Sequence, residues 1–222
     1  MNVVTAASSN HFKSCVQFLR SVPLIFKTTF YDIGLTDQES QYIKQNFNIN
    51  YRKFDFSKYP EFVNLNSQDA GAYAWKPIIV SEMYNECNGI LLWCDSGNIL
   101  NNEIFKLANI ITLYKIYTPV SSGTVERWTH SGCLKNMNVP SEMLSLPLRN
   151  AACVGFLCND IYVKQFVDEW KESALFKENS LPEGANRNNH RWDQSILSIL
   201  YYKYNIQRID QYIGFTIHND ID

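Results

Sequence analysis

The segment Gly89-Ile90-Leu91-Leu92-Trp93-Cys94 is an unbroken apolar run that stops abruptly at Asp95-Ser96-Gly97. A strand with one wet face alternates apolar and polar residues. A continuous run instead marks a strand buried on both faces, as in a largely parallel sheet with helices above and below. The sequence before it alternates as such a sheet requires. An apolar run over 3–6 predicts a first strand, and Cys15, Val16, Phe18 and Leu19 recur at helical spacing within residues 11–22. Residues 24–31 are β-rich, Gly34 breaks the pattern, and Thr36-Asp37-Gln38-Glu39 is a capping box opening a helix that runs to about residue 46. A third strand over 49–54 and a loop through 64–71 follow. A helix then starts near Trp75, with Pro77 in the first turn, where its missing N–H costs nothing.

Beyond Asp95 the spacing predicts a helix from about Glu103, an irregular stretch over 120–147 with at most short helices, and a second buried strand over 151–157. An amphipathic helix over 160–172, a mobile loop over 177–189 and a last strong helix over 193–204 come next, with short tail strands around 206–208 and 214–217. This order predicts one α/β domain over 1–222 with an open, mixed, mostly parallel sheet flanked by helices. Ligands of such sheets bind beyond the carboxyl ends of the strands. That rule selects Thr5-Ala6-Ala7, Asp95-Ser96-Gly97 and the loops around the strand that ends at Leu157.

Charge narrows the ligand. A net charge of −2, with Arg52-Lys53 as the longest basic cluster, gives no field for a nucleic-acid backbone but leaves room for a small anion. The six cysteines form no CxxC pair and have no His-rich neighbour, so they predict buried thiols rather than a zinc site. Cys153 and Cys158 have odd spacing in one predicted strand, which points them to opposite faces. No signal-peptide pattern opens the sequence and no stretch approaches 18 apolar residues, so the expectation is a cytoplasmic domain or one module of a larger protein.

Three segments carry chemistry. Asp95 ends the most apolar strand, where a carboxylate needs a cation or several hydrogen bonds; a divalent metal with diphosphate oxygens satisfies it, and so does an Asx turn. Tyr73-Ala74-Trp75-Lys76-Pro77 sets a cation and two aromatics at a helix start, which makes either an anion site with stacking surfaces or a snorkelling lysine beside core aromatics. In His190-Arg191-Trp192-Asp193-Gln194-Ser195, Asp193 is either a helix cap or a general base, with His190 or Arg191 near phosphate.

Taken in order, Ala72-Tyr73-Ala74-Trp75-Lys76-Pro77, Leu91-Leu92-Trp93-Cys94-Asp95-Ser96-Gly97, Arg127-Trp128-Thr129-His130, Ala151-Ala152-Cys153-Val154-Gly155-Phe156-Leu157 and His190-Arg191-Trp192-Asp193-Gln194-Ser195 resemble a group of GT-A nucleotide-sugar glycosyltransferases distantly related to the glycogenin-like enzymes. The resemblance runs roughly over 3–204. It implies a nucleotide-binding half over about 1–100 and an acceptor-side half over about 101–222. By the resemblance Thr5, Ala6 and Ala7 contact base and ribose, Lys76 approaches the diphosphate or donor sugar, and Asp95 takes the metal role of an Asp-x-Asp motif. Tyr73, Trp75, Thr129, His130, Ala152, Cys153, His190, Arg191 and Gln194 border the donor or acceptor sugar, and Asp193 faces the reacting sugar. The implied cofactor is Mn²⁺ or Mg²⁺, the donor a nucleoside diphosphate sugar with UDP favoured, and the acceptor a hydroxyl on a glycan or glycoprotein. Gly97 stands where the motif has its second Asp, so the resemblance brings in His218 as a further metal ligand.

Two other readings remain. A sugar-1-phosphate nucleotidyltransferase needs a Gly-rich basic loop after the first strand, and Ala7-Ser8-Ser9-Asn10-His11 contains no Gly, Lys or Arg. A catalytically inactive sugar- or protein-binding module of the same fold fits the missing second carboxylate.

Overall fold

The computed structural model describes residues 1–217 and 220–222; the predicted ligand His218 lies outside the described residues. The chain forms β1 (Asn2–Ser8), α1 (Phe12–Ser21), β2 (Lys27–Gly34), α2 (Asp37–Asn46), β3 (Asn50–Lys53), α3 (Trp75–Glu86), β4 (Ile90–Cys94), β5 (Ile99–Leu100) and α4 (Ile104–Tyr114). It continues with β6 (Ile116–Tyr117), β7 (Val120–Thr124), β8 (Pro147–Arg149), β9 (Cys153–Leu157), α5 (Ile161–Leu175), α6 (Trp192–Lys203) and β10 (Phe215–Thr216), with short helices of three to six residues between.

The main sheet has the order β3-β2-β1-β4-β9-β6. The first four strands are mutually parallel, and β9 runs antiparallel to both β4 and β6. The apolar run is the central strand, as its composition requires. Leu91 and Trp93 pack under α3, α5 and α6, whereas Leu92 and Cys94 pack under α1 and α4. Helices cover both faces, so alternate side chains of β4 each meet a dry layer. The strand is apolar throughout because neither face reaches water.

Local signals hold where the chemistry is local. The Thr36 capping box forms, with the Thr36 side chain accepting from Glu39 N–H and the Glu39 carboxylate accepting from Thr36 N–H. Asp160 caps α5 by accepting from Tyr162 and Val163 N–H. All six cysteines are buried and free.

Other expectations shift. β2 begins at Lys27 rather than at residue 24, because Leu24 and Ile25 are exposed ahead of the sheet. The stretch over 120–147 contains the short helices expected, but β7 also pairs antiparallel with β8. The loop over 177–189 is tethered rather than free: Asn179, Ser180 and Ala185 are buried, and Ser180 Oγ donates to Ala174 O. The tail strand around 206–208 does not form, while β10 pairs with β5. Cys158 lies just past β9, and Cys153 instead faces Cys94, with their sulfurs 3.7 Å apart. Among the described residues no helix is long and apolar enough to cross a membrane.

Candidate active site at the carboxyl edge of the sheet

β1 and β4 end side by side, and the antiparallel β9 begins at the same edge, with Cys94 opposite Cys153. Asp95 N–H donates to Ala152 O at 2.8 Å, and Asn98 Nδ2 donates to the same carbonyl at 2.7 Å, which ties the Asp95-Ser96-Gly97 turn to the start of β9. Over this edge opens a cleft of about 770 Å³. Its floor and walls include Ala6, Ala7, Tyr73, Trp75, Asp95 and Ala152.

Beneath the floor lies Lys76, 3 % exposed. Its ammonium is 3.0 Å from Asp95 Oδ1 and 3.1 Å from Asp193 Oδ2, and it donates to Ala151 O at 3.3 Å. Pro77 follows it in the first turn of α3, so the turn that starts the helix also aims the lysine inward. Asp193 does not cap α6. It sits inside the first turn of that helix, 4 % exposed, and turns toward Lys76. One ammonium thus joins two carboxylates from three elements, leaving a net charge of −1.

The protonation equilibria follow from this arrangement. Burial alone would discharge Lys76, but the Asp193 and Asp95 charges outweigh it and hold the ammonium protonated well above its ordinary range. Asp193 has one ammonium against complete desolvation, and burial wins: its carboxyl is pushed up to about 6. Asp95 is different. Its side chain is 39 % exposed, and Trp93 Nε1 and Lys76 both approach Oδ1. Among the described residues Oδ2 has no hydrogen-bond partner, so it is available to a ligand in the cleft.

The wall over Asp95 rests on an unusual backbone. Asp69, Ala70, Gly71, Ala72 and Tyr73 all have φ between 50° and 68°. Left-handed conformation costs a non-glycine residue about 1–2 kcal/mol, and successive residues rarely share it. A Cβ at Gly71 would collide with the Val63 carbonyl, so the center of this turn admits only glycine. The turn delivers Tyr73 to the cleft, where its ring lies 5.9 Å from Trp75 and 5.6 Å from Trp192.

Not every predicted site residue reaches the cleft. Thr5 and Cys153 are fully buried in the sheet, and Thr129 is 3 % exposed with Oγ1 unpartnered among the described residues. His190 is buried and packs as a structural group. Its Nδ1 accepts from His130 N–H and its Nε2 donates to Asn179 O, while burial pushes its pKa down to about 4, so the ring is neutral. His130 Nδ1 in turn accepts from Gly132 N–H. Gln194 Oε1 accepts from Ala151 N–H, steadying the segment that leads into β9. Arg191 lies over the Trp128 ring, 4.1 Å from its centroid.

Residues that sequence reasoning passed over complete the cleft. Ser8, Ser9, Asn10 and His11 line it after β1, and Asn98, Arg187 and Asp220 line it elsewhere. A Cβ at Gly97 would collide with the Asp220 carboxylate. The space of the absent second acid is therefore filled by an acid from the end of the chain. Asp222 anchors that segment by accepting from Lys13 and Ser14 N–H at the start of α1. His11, Asp220 and Asp222 bring an imidazole nitrogen and two carboxylates within 4.8 Å of one another. The loop over 7–11 was a visible signal for His11, since it follows a strand end; nothing in the sequence links Gly97 to Asp220.

The chain has the glycosyltransferase fold. It resembles the apo structure of the WbbM bifunctional glycosyltransferase at a TM-score of 0.58 and 12% identity, covering 92% of this chain and 38% of that one. It also resembles mouse xyloside xylosyltransferase 1 in its apo form, at a TM-score of 0.53 and 9% identity, covering 92% of this chain and 83% of that one. Residues 1–81 match a family model described as a protein of unknown function, DUF1647. No curated protein matches the sequence.

Proposed function

We propose that this domain transfers a glycosyl group from a nucleoside diphosphate sugar, with a UDP-sugar favoured, to a hydroxyl of a glycan or glycoprotein acceptor. The observation that carries the reading is the Lys76 ammonium between Asp95 and Asp193, directly beneath the cleft at the carboxyl edge of the sheet. The fold it shares with two glycosyltransferases supports the same reading.

In this reading Ala6, Ala7 and the loop through His11 take the nucleoside, and Tyr73 and Trp75 offer aromatic surfaces to base or sugar. Lys76 holds Asp95 in position and offsets part of the negative charge that the two carboxylates place beneath the leaving diphosphate. Asp193, with a pKa of about 6, has the proton affinity of a base for an acceptor hydroxyl near neutral pH.

A divalent cation fits the donor set. The imidazole of His11 and the carboxylates of Asp220 and Asp222 are the hard nitrogen and oxygen donors that Mn²⁺ or Mg²⁺ accepts, and Asp95 lines the same cleft as His11 and Asp220. Bound there, the cation would supply the positive charge that stabilises a leaving diphosphate. The test is donor hydrolysis and transfer by Asp95→Ala, with and without Mn²⁺. Undiminished metal-dependent turnover in the variant rejects the assignment.

One observation favours a second reading, a binding module without catalysis. Asp193 is 4 % exposed and engaged with Lys76, out of direct reach of an acceptor. Thermal shift separates the two: stabilisation that needs both UDP and Mn²⁺ belongs to the enzyme, and none at all belongs to the module.

A further inference from the structure

Beside the cleft three arginines crowd around two tryptophans. The guanidinium carbons of Arg127 and Arg191 lie 4.3 Å and 4.1 Å from the centroid of the same Trp128 ring. Arg187 lies 5.7 Å from the Trp192 ring and lines the cleft itself. Like charges gathered this closely repel, and their usual relief is a set of carboxylates. Here that relief is nearly absent. Among the described residues no carboxylate stands within ion-pair distance of Arg127 or Arg191, and the nearest to Arg187 is Asp69 at 3.8 Å. Burial, Arg187 and Arg127 all hold the Arg191 pKa below its ordinary value, and no acid opposes them.

The cluster is also built rather than splayed. Gly123, at φ +79°, leaves the space that the Trp128 indole fills, since a Cβ there would collide with the ring. Ser195 Oγ donates to Trp128 O at 2.6 Å and accepts from Arg191 N–H at 3.0 Å, locking the two backbones together. Arg127 Nη1 donates to Asn188 O at 2.7 Å, which bridges to the loop that bears Arg187. With the guanidinium planes held on aromatic faces, Arg191 makes no side-chain hydrogen bond among the described residues and Arg127 keeps the N–H groups not given to Asn188, so both can donate to a planar or tetrahedral oxyanion.

We infer that Arg127, Arg187 and Arg191 form a subsite for an oxyanion on the acceptor, so that the acceptor is a glycan bearing carboxylate, sulfate or phosphate groups. The inference rests on the glycosyl-transfer reading for the word acceptor, but the subsite itself is an anion site whether or not transfer occurs. Arg187 lines the cleft together with Tyr73, whose ring packs against Trp192.

The experiment is calorimetric titration of the whole domain with three oligosaccharides of equal length: a hyaluronan tetrasaccharide with carboxylates alone, a chondroitin sulfate tetrasaccharide with both anions, and neutral chitotetraose. The charged pair should bind, the neutral one should bind at least about tenfold more weakly, and added salt should erode the difference. Arg127→Gln/Arg191→Gln should weaken the charged ligands by about tenfold or more. Arg127→Gln alone, at an exposed position, should weaken them by a smaller factor in a protein whose fold is secure. Preference for sulfate over carboxylate alone identifies which anion the subsite takes. Equal binding of chitotetraose, or unchanged affinity in both variants, overturns the inference. The same samples titrated with UDP report separately on the donor reading, which can fail while the anion subsite stands.

Discussion

The Lys76 ammonium lies 3.1 Å from Asp193 Oδ2 in a spot where both side chains are almost wholly shielded from water. Two groups so placed cannot be altered independently. Removing the cation as Lys76→Met leaves Asp193 and Asp95 unopposed under the cleft floor, and breaking a buried pair this way costs about 3–5 kcal/mol. Urea unfolding should register a loss in that range, whereas Asp193→Asn, which leaves Lys76 paired with Asp95, should lose less.

Acidity offers a sharper check on the same pair. The Asp193 pKa rises from 3.8 in the unfolded chain to about 6 in the fold, so between those values the folded state binds the extra proton. Its contribution to stability is therefore greatest at the acid end of that window and declines as pH rises through about 6. The difference in unfolding free energy between the parent and Asp193→Asn should fall across this window, and a flat difference would exclude the buried carboxylate. If Asp193 is the base, transfer should show an acid limb near the same pH.

Gly97 and Asp220 compete for one volume. Asp220→Ala should weaken Mn²⁺-dependent binding of UDP, and adding Gly97→Asp, into the space the shorter side chain leaves, should restore it by supplying the acid from the turn after β4. Calorimetry with UDP in the presence and absence of Mn²⁺ measures both. If Gly97→Asp fails to rescue, the two positions do not serve one site.

The left-handed turn should tolerate little. Gly71→Ala combines a positive φ of 68° with a collision against the Val63 carbonyl, and we expect a loss of about 2 kcal/mol or more together with weaker UDP binding, since the turn sets Tyr73. Thermal unfolding and the UDP titration should change together.

Arg149 tests the packing of the segment that leads toward β9. It is fully buried, pairs with Asp210 at 2.6 Å, and donates to the carbonyls of Thr118 and Ile209. Arg149→Met strands those acceptors and should destabilise by about 3 kcal/mol or more. Arg149→Lys should recover only part of the loss in a melting experiment, because an ammonium cannot reproduce the fork.

How much of this was legible beforehand follows from the range of each interaction. The doubly buried β4 and the Thr36 capping box rest on contacts within one strand or one helical turn, and the sequence by itself determined them. It also marked Lys76, Asp95 and Asp193 as chemistry-bearing, because each sits at an element end where a charge needs a reason. Whether Asp193 caps its helix or faces a partner is not encoded locally, since both roles suit the same position in the chain. Only the tertiary structure decided that, by bringing α3, β4 and α6 to one edge so that a single ammonium satisfies two carboxylates. It also decided that Asp220 fills the space beside Gly97, and that His190, which reads like a phosphate ligand, is a neutral buried ring. These outcomes depend on which distant segments exclude water from which side chains, and no local pattern of residues encodes that.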